Sequence, residues 1–270
     1  MKPKFKLAVV QTRTETDKAQ TMDKAERMIA EAAANGAELV VLPEMWNCPY
    51  SNDYFREYAE EAGGETVEFL SGLAADLGVY LIGGSIPELD GDRVYNTSFS
   101  FDRTGKLIGR HRKVHLFDID VKDGIRFMES DTLTAGEEMT VIDTEFCRIG
   151  VAICYDVRFP EWFRKMALAG AKLIVLPAAF NLTTGPAHWD LTMRARALDN
   201  QVYFAANSPA RDNDGPYQAY GGSCIVDPWG KFIARTDESE GIVYGDIDLE
   251  YVDSIREQLP LLKHRREELY

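Results

Sequence analysis

Cysteine is scarce in this chain, with four residues among 270. Their positions show neither the close pairs of a zinc site nor the density of a disulfide scaffold. The pattern therefore predicts reduced thiols, no bound metal and a cytoplasmic protein. The four residues are Cys48, Cys147, Cys154 and Cys224.

Long apolar runs and an excess of positive charge are missing as well. No stretch approaches the ~20 apolar residues of a membrane-spanning helix, and the first residues lead into a strand-like run rather than a signal-peptide core. Asp and Glu number 44 against 30 Lys and Arg, which gives a net charge of −14. Because nucleic acids are bound by clustered Lys and Arg, we expect neither a membrane nor a nucleic acid as partner.

The usual cofactor signatures are absent too. The sequence contains no H-E-x-x-H pair, no Walker loop and no G-x-G-x-x-G turn. These motifs carry metal, nucleotide and dinucleotide binding respectively. We therefore expect chemistry without a cofactor.

The hydrophobic content of 45% is that of a folded globule with a sizeable core. Apolar runs predict strands near residues 5–10, 38–42, 79–84, 94–101, 106–112, 139–143, 148–154, 172–176, 201–206, 222–226, 231–235 and 242–247. Capping signals predict helices over residues 17–35, 57–77, 160–169, 188–199 and 249–258. Hairpins and strand–helix alternations together indicate a layered α/β fold with mixed sheets. Since no flexible linker interrupts the chain, we expect one domain over residues 1–270.

Two segments about half a chain apart resemble each other. Residues 35–44 read NGAELVVLPE and residues 169–178 read AGAKLIVLPA, each following a helix and continuing into a strand. This repetition predicts two similar sheet-and-helix layers packed face to face. The copies differ at their last residue, which is Glu44 in the first and Ala178 in the second.

The segment 114–138 has no clear periodicity. Connections of that length are usually lids or site-forming segments. Its polar residues include His115, Asp118, Asp120, Asp123, Arg126 and Glu129.

Cys154 lies at the end of a predicted buried strand, where open α/β folds gather their chemistry. A cysteine nucleophile needs a base, and the spacing selects none of His111, His115, His188 and His264. Glu44 and Lys113 offer another solution, because each also follows a predicted strand. Taken singly, a solvated glutamate, a surface lysine and a buried thiol are the commoner interpretations, so only the combination is specific.

Three motifs carry a family resemblance: LPE at 42–44, RKVHLFD at 112–118 and ICYDVRFPE at 153–161. Together they resemble the Glu-Lys-Cys signature of the nitrilase superfamily of carbon–nitrogen hydrolases. The chain is most similar to the omega-amidase branch of that superfamily. The branch resemblance rests on FDID at 117–120, FMES at 127–130, FNLTTGPAHW at 180–189, DNQVY at 199–203 and SPARD at 208–212.

The resemblance implies a four-layer αββα sandwich with two mixed sheets, and a homodimer or larger assembly. It implies Cys154 as the nucleophile, Glu44 as the general base and Lys113 as the cation that holds the oxyanion. The remaining implied residues are Glu129 as a second acid, the backbone of Tyr155 as an oxyanion donor, Arg158 as a carboxylate clamp, and Tyr50, Phe180 and Thr184 as pocket residues. A lysine beside a thiol is also expected to lower the pKa of the thiol.

The function implied is hydrolysis of the terminal amide of 2-oxo acids such as 2-oxoglutaramate and 2-oxosuccinamate, through a cysteine thioester. The nearest alternatives are amidases of the same superfamily that act on deaminated glutathione or on N-carbamoyl amino acids. A nitrilase and a non-catalytic scaffold are more distant ones. The substrate expected is therefore a small amide that carries a carboxylate.

Overall fold

The computed structural model describes residues 2–122 and 125–269 as two mixed sheets, a two-stranded ribbon and the helices that cover them. The first sheet contains β1 (Lys4–Gln11), β2 (Leu39–Val41), β3 (Tyr80–Ile82), β4 (Ile86–Asp90), β5 (Arg93–Phe101), β6 (Leu107–Arg112) and β15 (Gly241–Asp248). The second contains β9 (Thr140–Asp143), β10 (Arg148–Val151), β11 (Ala171–Pro177), β12 (Tyr203–Asn207), β13 (Cys224–Val226) and β14 (Phe232–Arg235). The ribbon joins β7 (Asp118–Asp120) to β8 (Arg126–Met128).

The described residues contain six helices. They are α1 (Lys18–Ala34), α2 (Asn52–Phe55), α3 (Glu65–Leu77), α4 (Pro160–Leu168), α5 (Gly185–Asn200) and α6 (Leu249–Gln258). Short 3₁₀ turns cover Glu129–Asp131, Cys154–Arg158 and Glu267–Leu269. Within the described ranges, no helix combines the length and the apolar character needed to cross a membrane.

Side chains along β1 alternate between two faces of the first sheet, and this alternation shows how the layers form. Leu7 and Val9 face the second sheet and join Val175 of β11 in one buried cluster. Val10 faces the other way and packs in the cluster that contains Ile29 of α1. Full burial of each such Val, Leu or Ile side chain stabilises the fold by ~1.5–3 kcal/mol.

The second sheet is covered in the same manner. Ile174 of β11 packs with Phe163 of α4 and Met193 of α5 in a separate cluster. Helices therefore lie outside both sheets, and the predicted αββα sandwich is confirmed. The two similar segments, 35–44 and 169–178, supply β2 and β11, which are interior strands of the two facing sheets.

Strand direction brings the site together. β1, β2 and β3 run parallel in the first sheet, and β10, β11 and β12 run parallel in the second. Parallel strands gather their carboxyl ends at one edge. Glu44 follows β2 there, and Cys154 follows β10.

The predicted helix over 57–77 is wrong in its first part. The chain forms the short α2 at Asn52–Phe55, and α3 begins only at Glu65. Gly64 is the N-cap residue of α3, and a Cβ atom there would approach the Glu60 carboxylate to 2.6 Å. The Gly-Gly pair at 63–64 therefore interrupts the apolar pattern, because glycine weakens a helix and permits this close approach.

Two further segments differ from the predictions. β4 at Ile86–Asp90 is absent from the predicted strands, and the structure places it at an edge of the sheet, where its Pro87 is tolerated. The segment 114–138 contains β7, β8 and a 3₁₀ turn where no periodicity was evident. Asp123 lies outside the described residues.

Candidate active site

Cys154 occupies a strained turn at the mouth of the second sheet. It begins the 3₁₀ turn Cys154–Arg158 with a φ of 43°, a left-handed conformation that non-glycine residues rarely adopt. The residue is 4% exposed. Strain of this kind, ~1–3 kcal/mol, persists where the surrounding structure holds it and is concentrated at functional sites.

Lys113, directly after β6, lies between two carboxylates. Its Nζ is 2.9 Å from Glu44 Oε1 and 2.9 Å from Glu129 Oε1, and all three side chains are fully buried. Burial alone would lower the pKa of Lys113, but Glu129 and Glu44 together outweigh burial and raise it. The side chain is therefore a buried ammonium.

The Glu44 carboxylate is held by both sheets. Asn96 Nδ2 of β5 donates to Glu44 Oε1 at 2.8 Å, and the carbonyl of Asn96 accepts from the N–H of Lys113 at 2.8 Å. The N–H of Ala179, just after β11, donates to Glu44 Oε2 at 2.7 Å. The acid that ends the first of the two similar segments is thus bound by the backbone that follows the second.

The thiol of Cys154 and this carboxylate lie close enough to affect each other's pKa. Burial raises the pKa of Cys154 well above its ordinary value, Glu44 adds to the rise, and Lys113 opposes it. The expected lowering of the thiol pKa by the lysine is therefore outweighed, and Cys154 rests as a thiol. Burial also raises the pKa of Glu44, against the effect of Lys113, which makes this carboxylate a stronger base.

Glu129 lies in the 3₁₀ turn after β8 and is tied down on both oxygens. The hydroxyl of Tyr50 donates to Glu129 Oε1 at 2.6 Å, and the N–H of Phe117 donates to Oε2 at 2.7 Å. The predicted site residues Tyr50 and Glu129 therefore meet at the lysine. The segment 114–138 was expected to be a lid or a site-forming segment, and it places Glu129 beside Lys113.

Asp156, two residues after Cys154, was not predicted. It is fully buried and accepts from the N–H of Ile153 at 2.9 Å and from the N–H of His115 at 2.9 Å. The rings of His115 and His111 lie 2.7 Å and 3.3 Å from its oxygens. One carboxylate thus joins the turn of Cys154 to the segment that follows Lys113.

These contacts also settle the environment of the histidines. His111 and His115 face Asp156, His188 contacts Arg158, and His264 is exposed. Among the described residues, no histidine ring has a hydrogen bond to Cys154. The carboxylate and lysine arrangement is the one that the fold assembles around the thiol.

The other predicted site residues lie in the turn of Cys154 and in the segment that leads to α5. The half-buried guanidinium of Arg158 lies over the ring of Phe180, 4.7 Å from its centroid. The half-buried ring of Tyr155 packs edge-on against Phe117 at 5.2 Å. Thr184 precedes α5, and its hydroxyl is 3.2 Å from Asn181 Oδ1.

A profile of the carbon-nitrogen hydrolase family matches residues 6–257. The chain belongs to this family. Omega-amidase NIT2 of Danio rerio is 50% identical over 267 residues, covering 99% of this chain and 96% of that protein. Omega-amidase NIT2 of Homo sapiens is 48% identical over 266 residues, covering 98% and 96%.

Solved structures of the superfamily superpose on this carbon-nitrogen hydrolase over nearly its whole length. Saccharomyces cerevisiae Nit3, described as a member of branch 10 of the nitrilase superfamily, gives a TM-score of 0.91 at 46% identity and covers 98% of this chain and 97% of its own. The NitFhit protein of C. elegans gives 0.90 at 35% identity and covers 99% and 66%. The resemblance seen in the sequence motifs therefore extends to the whole fold.

Proposed function

We propose that this carbon-nitrogen hydrolase is an omega-amidase that releases ammonia from the terminal amide of 2-oxo acids. The observation that carries the proposal is a buried Glu44–Lys113–Glu129 cluster beside the Cys154 thiol, with the cationic Arg158 at the end of the same 3₁₀ turn as Cys154. The cluster and the thiol would carry out amide hydrolysis, and Arg158 would bind the carboxylate at the far end of the substrate. The names of the full-length relatives support the same assignment.

The first half of the proposed reaction forms a thioester. Glu44 takes the proton of Cys154 as the sulfur attacks the amide carbon. Lys113 and the N–H of Tyr155 stabilise the negative charge on the former carbonyl oxygen. Glu44 then gives its proton to the departing nitrogen, and ammonia leaves.

The second half consumes water. Glu44 removes a proton from a water molecule, whose oxygen attacks the thioester carbon, and the Cys154 sulfur leaves and regains its proton. Glu129 fixes Lys113 through both steps, because its two oxygens are already held by Tyr50 and Phe117. A cavity of about 210 Å³ is lined in part by Glu44, Tyr50 and Tyr217.

A panel of amides tests the proposal. We expect kcat/KM on 2-oxoglutaramate to exceed that on deaminated glutathione and on N-carbamoyl amino acids, and Cys154→Ala to abolish ammonia release without a change in fold. Higher kcat/KM on one of the other two substrates would transfer the assignment to that amidase. Ammonia release that survives Cys154→Ala would overturn the thioester mechanism.

We also propose a homodimer in the cytoplasm. Leu191 and Leu198 lie one heptad apart on α5 and are 70% and 40% exposed, and Trp229 is 53% exposed near Leu198. An exposed apolar face of this kind favours association with a second copy. A solution mass of one chain by light scattering would contradict the dimer.

The proposed location in the cytoplasm rests on the cysteines. All four are free and buried, which suits a reducing compartment.

A further inference from the structure

Arg158 is a half-buried cation that lacks an acidic partner among the described residues. Among the described residues, no carboxylate oxygen lies within salt-bridge distance of its guanidinium, although the side chain is half-buried. Its neighbours are the ring of Phe180 and the region of Cys154 and Tyr155. Arginine keeps its charge in proteins, so this site is prepared for an anion that the chain itself does not supply.

One polar side chain does contact the guanidinium. Nη1 of Arg158 is 2.9 Å from Nδ1 of His188, on the first turn of α5. Because a guanidinium only donates hydrogen bonds, Nδ1 must be the acceptor, and the ring is therefore neutral with its proton on Nε2. Within the described residues, this is the one hydrogen bond made by the His188 ring.

A neutral acceptor has a particular advantage at this position. An aspartate or glutamate would fix the guanidinium equally well, but it would also cancel the charge and compete with the substrate carboxylate. An imidazole occupies one N–H and leaves the other four free to bind oxygen. It orients the cation without neutralising it.

The backbone of His188 adds a second connection. Its N–H donates to the carbonyl of Thr184 at 2.9 Å, which anchors the histidine to the start of α5. Phe180 limits the guanidinium from one face, and His188 fixes it at one edge. The two contacts together define the plane in which Arg158 presents its remaining donors.

We propose that His188 is a specificity-positioning residue that holds Arg158 in the orientation that receives the carboxylate of a 2-oxo acid amide. This inference rests on the proposed omega-amidase function. Under this proposal, two residues select substrates that bear a carboxylate. Arg158 binds the carboxylate, and His188 orients Arg158.

Steady-state kinetics on two amides of equal length test the proposal. For 2-oxoglutaramate, we expect Arg158→Ala to raise KM about ten- to a hundredfold and His188→Ala about two- to tenfold, with kcat of H188A within about twofold. For pentanamide, which has no carboxylate, H188A should leave kcat/KM unchanged. His188→Gln retains an acceptor oxygen and should restore most of the affinity. Thr192→Ala, one turn further along α5, is the control.

A double-mutant cycle adds the decisive comparison. If His188 acts through Arg158, the R158A/H188A variant has the KM of R158A alone. Independent, multiplying effects would overturn the proposal, as would an unchanged KM in H188A or an equal loss of kcat/KM on both amides.

A binding measurement separates this inference from the proposed activity. Calorimetry with 2-oxoglutarate on Cys154→Ala and C154A/H188A requires no turnover. We expect weaker binding to the double variant by about the same factor as the change in KM. Equal affinities, or no binding to C154A, would refute the positioning role even if the amidase activity stands. Absence of 2-oxoglutaramate hydrolysis with the expected binding difference would instead refute the proposed function.

Discussion

Two buried charge clusters lie near Cys154, and their arrangements are opposite. In the first, the ammonium of Lys113 lies between two carboxylates, one of which is Glu44. In the second, the carboxylate of Asp156 lies between two imidazoles. Both carboxylates are fully buried, yet the pKa of Glu44 is raised and the pKa of Asp156 is lowered.

Both carboxylates accept several hydrogen bonds, and a neighbouring second carboxylate at Glu44 accounts for the difference. Burial opposes ionisation in both places, but Asp156 receives two backbone N–H groups and two imidazoles, which outweigh burial. Glu44 shares its lysine with Glu129, and the second carboxylate adds to the rise in its pKa. The base proposed here, Glu44, must accept a proton and so cannot be stabilised too strongly as an anion. Asp156 fixes the backbone, and strong stabilisation of its anion favours that role.

Removing the cation of the first cluster should have the largest effect. We expect Lys113→Met to lower kcat about 10³-fold on every amide, because it removes an oxyanion donor and leaves Glu44 beside Glu129. Breaking a buried pair on one side should also lower the free energy of unfolding by about 3–5 kcal/mol. Ammonia release and urea unfolding at pH 7 measure the two effects.

The exposed Lys106, just before β6, supplies the matched control. Lys106→Met removes the same charge near the same strand and should leave both quantities nearly unchanged. If K113M retained a kcat within about tenfold of the wild type, Lys113 would be no more than a structural counter-ion, and the contrast between the clusters would disappear.

The sequence was sufficient to predict most of the first cluster. Glu44, Lys113 and Cys154 each follow a predicted strand, and parallel strands gather their carboxyl ends at one edge, so local patterns and topology bring them together. Asn96 and Asp156 were not predicted, because their roles depend on side chains from distant strands. The φ of Cys154 also depends on tertiary contacts rather than on local propensity.

The errors in the fold have a similar origin. The apolar pattern over 57–77 fits a helix, but the Gly-Gly pair and the contact of Glu60 with the start of α3 delay the start of the helix to Glu65. β4 contains Pro87, which argues against a strand until its place at an edge of the sheet is known. In the first case a contact between Glu60 and Thr66 decides where the helix starts, and in the second the position of β4 in the sheet permits the strand.

Neutralising the second cluster should have a smaller effect that is uniform among substrates. Asp156→Asn cannot accept from all four donors, so the turn of Cys154 and the segment after Lys113 should separate slightly. We expect kcat to fall about ten- to a hundredfold on 2-oxoglutaramate and pentanamide alike, with little change in KM. A change in KM confined to 2-oxoglutaramate would place Asp156 with Arg158 instead.

The stability of the same variant should depend on pH in a defined direction. A carboxyl whose folded pKa is lowered stabilises the protein above its unfolded pKa of about 3.9, and this contribution is lost as the pH falls toward the folded pKa. At pH 7 we expect the free energy of unfolding of D156N to be about 2–3 kcal/mol lower than that of the wild type. This difference should narrow below about pH 4. Urea titrations from pH 7 to pH 3.5 measure it, with Asp143→Asn, an 81% exposed side chain on β9, as the control. A difference that stays constant over this range would mean that Asp156 stabilises the turn by its shape and not by its charge. The contrast between a raised pKa at Glu44 and a lowered pKa at Asp156 would then be lost.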